Sequence, residues 1–197
     1  MIAVRLMGGL GNQMFQYAAG RALAERIGTE FVLDNRSFTH YKLRDYGLNK
    51  FAIKAQVGTA EQIARWPLWF RRLSKPLRRL GIRSRWYLET QFHYDSTWNC
   101  ISDGTIIDGH FQSERYFPGL AEALRQEFIP VAPLSLKNEQ YAELACGCES
   151  VMLHVRRGDY VSDPHAAKTN GVCTVEYYKN AISTMRAHLE KPRFFVF

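Results

Sequence analysis

Ile2-Ala3-Val4-Arg5-Leu6-Met7-Gly8-Gly9-Leu10-Gly11-Asn12-Gln13-Met14-Phe15-Gln16-Tyr17-Ala18 is the stretch whose reading decides the fold. Residues 2–6 read as a short buried strand, the glycines at 8, 9 and 11 as a tight loop, and residues 12–27 as a helix closed by Gly28 at the C′ position. Residues 30–33 form a second strand, so the opening is βαβ. Further along, Thr59-x-x-Gln62 is a capping box opening a short helix. A buried strand is expected at 105–107, ahead of the turn at Asp108-Gly109. Helices are expected over 116–127 and, capped by Ser135, over 136–146. A strand at 151–155, a helix near 174–189 and a strand at 193–197 follow. Strands alternating with helices imply an α/β fold with parallel sheets. Pro130, Pro133 and Gly147 punctuate the chain, placing a first domain at 1–148 and the start of a second at 149–197. The closing Phe194-Phe195-Val196-Phe197 reads as a strand with nothing to continue it, so the second domain reads as incomplete.

The 197 residues are 46% hydrophobic, enough to bury a core and to exclude general disorder. Cys100, Cys146, Cys148 and Cys173 lie in no zinc-like spacing and no signal-peptide pattern precedes them, which implies reduced thiols in a cytoplasmic protein. The formal net charge of +7 is local: residues 65–86 hold eight basic residues and no acid, and elsewhere the charges nearly cancel.

Two constellations carry chemistry. Gly8 to Met14 joins a strand to a helix N-terminus, where backbone N–H groups and the helix dipole suit a phosphate or another polar ligand; an ordinary tight βα turn is the plainer reading. A nicotinamide site is a rival, since Gly9-x-Gly11 is followed by Asp34 at the end of the second strand. Met14, however, occupies the third glycine position, where the dinucleotide fingerprint requires close helix–strand packing. The other constellation, His154-Val155-Arg156-Arg157-Gly158-Asp159-Tyr160, follows a strand. Two guanidiniums there need an anion or a carboxylate, and a diphosphate or an internal pair with Asp159 supplies one.

Together with Asp108-Gly109-His110-Phe111-Gln112-Ser113-Glu114, these blocks resemble the α-1,2-fucosyltransferases of glycosyltransferase family 11. The resemblance implies a GT-B architecture, two Rossmann-like domains facing across a cleft, with GDP-fucose held mainly by the C-terminal domain and a β-galactoside oligosaccharide or glycolipid as acceptor. It implies that Arg156 grips the β-phosphate, that His154 lies beside the nucleoside, and that Arg157 and Asp159 fix the loop. Gly11, Asn12 and Gln13 become further donor-side candidates. No cofactor or divalent metal is implied. Arg156 is then the leaving-group stabiliser. For the group that takes the acceptor's proton, Asp159, His110 and Glu114 are the candidates, each with a structural alternative: an arginine partner, a satisfied strand residue and a helix-start charge.

In the basic stretch, Trp66, Trp69, Phe70, Leu73, Leu77 and Leu80 share one helical face and Arg71, Arg72, Lys75, Arg78 and Arg79 the other, with Pro67 in the first turn and Pro76 expected to kink or split the helix. Such a segment either docks on an anionic membrane, peripheral on its cytoplasmic face, or packs on its own domain. No nucleic-acid reading motif accompanies it. Two rivals to the fucosyltransferase reading stand: a GDP-fucose-dependent enzyme of another linkage, and a non-enzymatic basic α/β binding module.

Overall fold

In a computed structural model, residues 1–40, 44–82, 84–155, 157–158 and 171–197 are described, with Arg78 and Arg79 described by backbone alone. The chain divides into two compact units, Met1–Ala132 and Pro133–Phe197. The first holds β1 (Ile2–Arg5), α1 (Leu10–Ile27), β2 (Phe31–Asp34), β3 (Gln56–Val57), α2 (Ala60–Ala64), α3 (Arg71–Arg79), β4 (Trp86–Leu88), β5 (Ile106–Asp108) and α4 (Ala121–Glu127). Its sheet runs in the order β3-β2-β1-β5-β4, with every neighbouring pair parallel. From β1 the chain proceeds outward to β2 and β3, then crosses to the far edge and returns through β5. The order reverses beside β1, which puts a crevice at the carboxyl ends of β1 and β5.

Alternation along β1 builds both faces of this sheet. Ile2, Val4 and Leu6 point into the larger core with Tyr17, Leu23 and Leu33, whereas Ala3 joins Val32, Ile63, Trp66, Trp86 and Ile106 on the opposite face. Gly28, at φ 66°, closes α1 in the left-handed region, where glycine carries no Cβ penalty. The close approach of helix to strand comes six residues after the position held by Met14, at Gly20. A Cβ on Gly20 would lie 2.2 Å from Val4 Cγ2. The Thr59–Gln62 capping box forms as the sequence implies, with both reciprocal hydrogen bonds present.

The second unit contains α5 (Leu136–Cys146), β6 (Ser150–Leu153), α6 (Val175–His188) and β7 (Arg193–Val196). Ser135 and Thr174 cap the two helices by accepting hydrogen bonds from Asn138 N and Tyr177 N. β6 and β7 pair in parallel, Ser150 opposite Arg193 through Leu153 opposite Val196.

Three local expectations change. α4 begins at Ala121, because Glu114–Tyr116 forms a 3-10 turn and Gly119, at φ 77°, interrupts any continuous helix. β4 lies in a stretch not read as a strand. The basic segment is not one amphipathic helix with one apolar face: Trp66 is 3% exposed and its Nε1 donates to Gly104 O at 2.9 Å. Leu68–Phe70 is a 3-10 turn, and α3 then runs through Pro76. Among the described residues no helix is long and apolar enough to cross a membrane.

Candidate functional site

At the carboxyl edge of the first unit's sheet, three turns converge. After β1 the backbone turns at Gly8, φ +77°, where a Cβ would meet Asn12 Nδ2 at 2.6 Å. Gly9 is the N-cap of α1 and offers no side chain to the first-turn N–H groups, so the positive end of an 18-residue helix is left open. A Cβ on Gly11 would meet nothing within 4 Å, so a ligand can approach the backbone there. Gln13 is buried and braces the loop from inside: its Nε2 donates to Gly8 O (3.1 Å) and Asp45 O (2.9 Å), and its Oε1 accepts from Gly47 N (3.0 Å). Gln16 likewise closes on both backbone groups of Met7. Gln13 therefore acts on a ligand through the loop's shape. Asn12 is half-buried and its Oδ1 accepts a 2.7 Å hydrogen bond from Gln112 Nε2, joining the first sequence block to the second.

The turn after β5 is held by a residue the sequence reading passed over. Glu89, just beyond β4, accepts from the backbone N–H groups of His110 (2.6 Å) and Phe111 (3.1 Å) through Oε2. A Cβ on Gly109 would sit 2.4 Å from Glu89 Cβ, so only glycine admits the carboxylate there. Phe111 adopts φ 51°, an uncommon conformation for a bulky residue, and its ring is fully buried against Tyr87, Trp98 and Tyr116. That packing holds the strained turn and sets the orientation of His110, which stacks on the exposed ring of Phe92 at 6.4 Å. The second oxygen of Glu89 and Nδ1 of His110 are both buried and make no hydrogen bond among the described residues, to each other included. Tyr116 lies close by, receiving Asp95 N at 3.2 Å; burial first, and the nearby charge of Glu89 after it, push its phenol up to about 12. Met7, Arg71, Glu89, Phe92 and His110 line one cavity of about 240 Å³.

Asp108, buried at the end of β5, accepts from Arg5 (3.1 Å), Arg71 (2.5 Å) and Trp86 Nε1 (3.1 Å). Asp34, which a nicotinamide site would need for ribose, instead pairs with Arg36 through both oxygens at 2.8 and 2.7 Å. Glu114 is exposed in the 3-10 turn beyond His110. A larger cavity, about 740 Å³, lies by the start of β2 among Arg21, Glu25 and Lys54, and contains no residue of the three blocks.

In the second unit, His154 follows β6 directly. Its side chain is exposed and its carbonyl accepts from Tyr178 at 3.5 Å. The backbone then pairs again, Val155 N to Phe197 O at 2.8 Å, and Arg157 is exposed. Arg156 and Asp159 lie outside the described residues. The signal for Glu89 was the apolar run Trp86-Tyr87-Leu88 ending in a carboxylate, a strand-end pattern too short to stand out by period.

The family described as Glycosyl transferase family 11 matches residues 87–197. An α-1,2-colitosyltransferase of Escherichia coli is 33% identical over 200 residues, covering 100% of this chain and 68% of that protein. The O-antigen biosynthesis glycosyltransferase WbnK of Escherichia coli is 30% identical over 205 residues, covering 90% of this chain and 65% of that protein. The chain thus spans about two thirds of the length of these relatives. No solved structure matches it.

Proposed function

Since the chain belongs to glycosyltransferase family 11, we propose that it is an inverting α-1,2-fucosyltransferase of two-domain GT-B architecture, moving L-fucose from GDP-fucose to the 2-hydroxyl of a terminal β-galactoside. The observation that carries the reading is the meeting of the Gly8–Asn12 loop and the 108–114 turn at the sheet's switch point, joined by Asn12 and Gln112 around the cavity of Glu89 and His110. An open helix N-terminus and a cavity with an exposed aromatic ring suit a polar sugar and its phosphate.

In this proposal the bond between fucose C1 and the β-phosphate oxygen breaks and its electron pair goes to the diphosphate. Arg156 meets that growing charge, with Arg157 and Asp159 fixing the loop and His154 beside the nucleoside, so that no divalent metal is needed. The acceptor oxygen bonds to C1 from the opposite face, and its proton goes to His110 Nε2. Glu89 is the positioning residue, because its carboxylate holds the backbone N–H groups of His110 and Phe111 and so fixes where the ring stands, with its charge beside the ring that takes the proton. An oligosaccharide or glycolipid acceptor on the cytoplasmic face of a membrane fits the O-antigen role named for one relative.

A second donor reading comes from the colitosyltransferase relative. Colitose is L-fucose lacking a single hydroxyl, and a site built to hydrogen-bond that hydroxyl rejects the deoxy sugar strongly. Transfer from GDP-fucose and from GDP-colitose to a panel of β-galactosides, using the full-length enzyme and its Arg156→Ala variant, tests the whole reading. The expected result is an α-1,2-fucosyl product and near-abolition in the variant. Preference for the deoxy donor replaces the donor assignment; wild-type turnover in Arg156→Ala removes the mechanism.

A further inference from the structure

The basic segment divides its apolar residues between the protein and the outside. Trp66 is in the core, Phe70 is half-buried and Ser74 of α3 is buried, so the helix packs by that side on β4. Trp69 (64% exposed) and Leu80 (74% exposed) are turned outward together with Leu68, Leu73 and Ile82. Within α3, at 100° per residue, Leu73 and Pro76 lie on the side away from buried Ser74, with Arg72 next to them. A soluble surface seldom gathers five large apolar residues, one of them tryptophan, in so short a stretch.

The charges around this ridge are of one sign. Arg71 alone among the described cations of the segment is ion-paired, to Asp108; Arg65, Arg72, Lys75 and Arg85 are exposed and meet no carboxylate among the described residues. We propose that the ridge of Leu68, Trp69, Leu73, Leu80 and Ile82 inserts into the interface of an anionic bilayer while these four cations contact its phosphates. A protein groove would satisfy the apolar residues, but only a surface of dense negative charge also answers these four exposed cations. Arg71 connects the two functions, since it lines the cavity of Glu89 and His110 while its neighbour Arg72 flanks the ridge. A helix seated on lipid therefore holds that cavity beside the membrane surface, where a lipid-linked acceptor is presented. The membrane contact stands without the donor assignment; only its purpose rests on the proposed transfer.

The test is co-sedimentation of the full-length protein with phosphatidylcholine vesicles and with equimolar phosphatidylcholine–phosphatidylglycerol vesicles, across a salt series. Binding is expected only to the anionic vesicles, weakening with salt. Arg72→Gln and Lys75→Gln should each lower partitioning about fivefold, as expected for one cation at such a surface. Trp69→Ser combined with Leu80→Ser should abolish it, with turnover on a soluble galactoside unchanged, because both side chains are mostly exposed and neither lines the cavity of Glu89 and His110. Absence of binding to anionic vesicles, equal binding to both compositions, or a dimer that dissociates in the Trp69→Ser/Leu80→Ser variant would overturn the proposal, the last in favour of a second copy on this face. If vesicle binding behaves as expected while no sugar is transferred, the catalytic reading fails and the surface remains.

Discussion

Gln112 donates a 2.7 Å hydrogen bond to Oδ1 of Asn12 across a separation of one hundred residues. Through it the loop that opens α1 and the turn that leaves β5 share one position at the switch point of the sheet. The loop is braced from behind by Gln13 and the turn by Glu89, so the contact joins two shapes that are each already fixed.

If that contact aligns the site, Asn12→Ala and Gln112→Ala should each cost stability no more than about 1 kcal/mol, as for a single exposed hydrogen bond. Turnover should fall by roughly ten- to a hundredfold through misplacement of the loop. The double variant should be no worse than the weaker single one. Additive losses in kcat would mean the two residues act separately.

His110→Gln should lower kcat by about a hundredfold or more, the ordinary contribution of a positioned base. Glu89→Gln preserves the shape and the acceptor for the two backbone N–H groups but removes the charge. Its kcat should fall with KM little changed, because the turn keeps its shape while the ring that takes the proton loses the charge beside it. A merely structural Glu89 would leave the kcat of this isosteric variant at the wild-type value. Glu89→Ala should in addition destabilise the fold by about 1–3 kcal/mol, since two buried donors lose their acceptor.

Gly20→Ala sets two effects against each other. Alanine favours the helix by about 1 kcal/mol, yet its Cβ would lie 2.2 Å from a methyl of Val4, a β-branched side chain wholly buried in β1. Overpacking of that kind costs about 1–3 kcal/mol, so net destabilisation is expected in urea denaturation. Val4→Ala should be less harmful in the Gly20→Ala background than alone. A stabilised single variant would show that α1 stands off the strand.

Alkaline conditions should weaken the first unit. Tyr116 is pushed up to about 12, chiefly by burial. Tyr17, which donates to Glu127 and accepts from Lys54 N, is raised further, again first by burial. Both phenols ionise more readily unfolded than folded, so their contribution is complete below the unfolded value of about 10 and is lost as pH rises towards the folded value. Urea midpoints should therefore drop between about pH 10 and 12, and less steeply in Tyr17→Phe. An unchanged slope in that variant would show that Tyr17 is not the titrating group.

The parallel α/β class was legible because it rests on local rules: the Ile2 to Gly28 stretch carries strand, loop, helix and left-handed stop within single-turn distances, and each formed where read. Helix caps at Thr59 and Ser135 belong to the same kind, since a side chain three residues from its donor leaves little to tertiary context. The three sequence blocks also pointed to the family, and two of them meet in the fold. Met14 stood against a dinucleotide fingerprint in the sequence; that Asp34 pairs with Arg36 came from the fold.

What the tertiary structure alone decided are matters of contact between distant residues. That Gly20 is the point of close approach depends on where Val4 lies across the sheet. That Glu89 holds the β5 turn depends on β4 pairing beside β5, a strand of three residues whose existence comes from its neighbour and not from its own periodicity. The basic segment shows the same limit from the other side: its apolar stripe was readable, but Trp66 went inward and Trp69 outward because a core of Ile63, Trp86 and Ile106 was there to receive only one of them. Periodicity records which residues share a face; what that face meets is set by packing energies that no single segment contains.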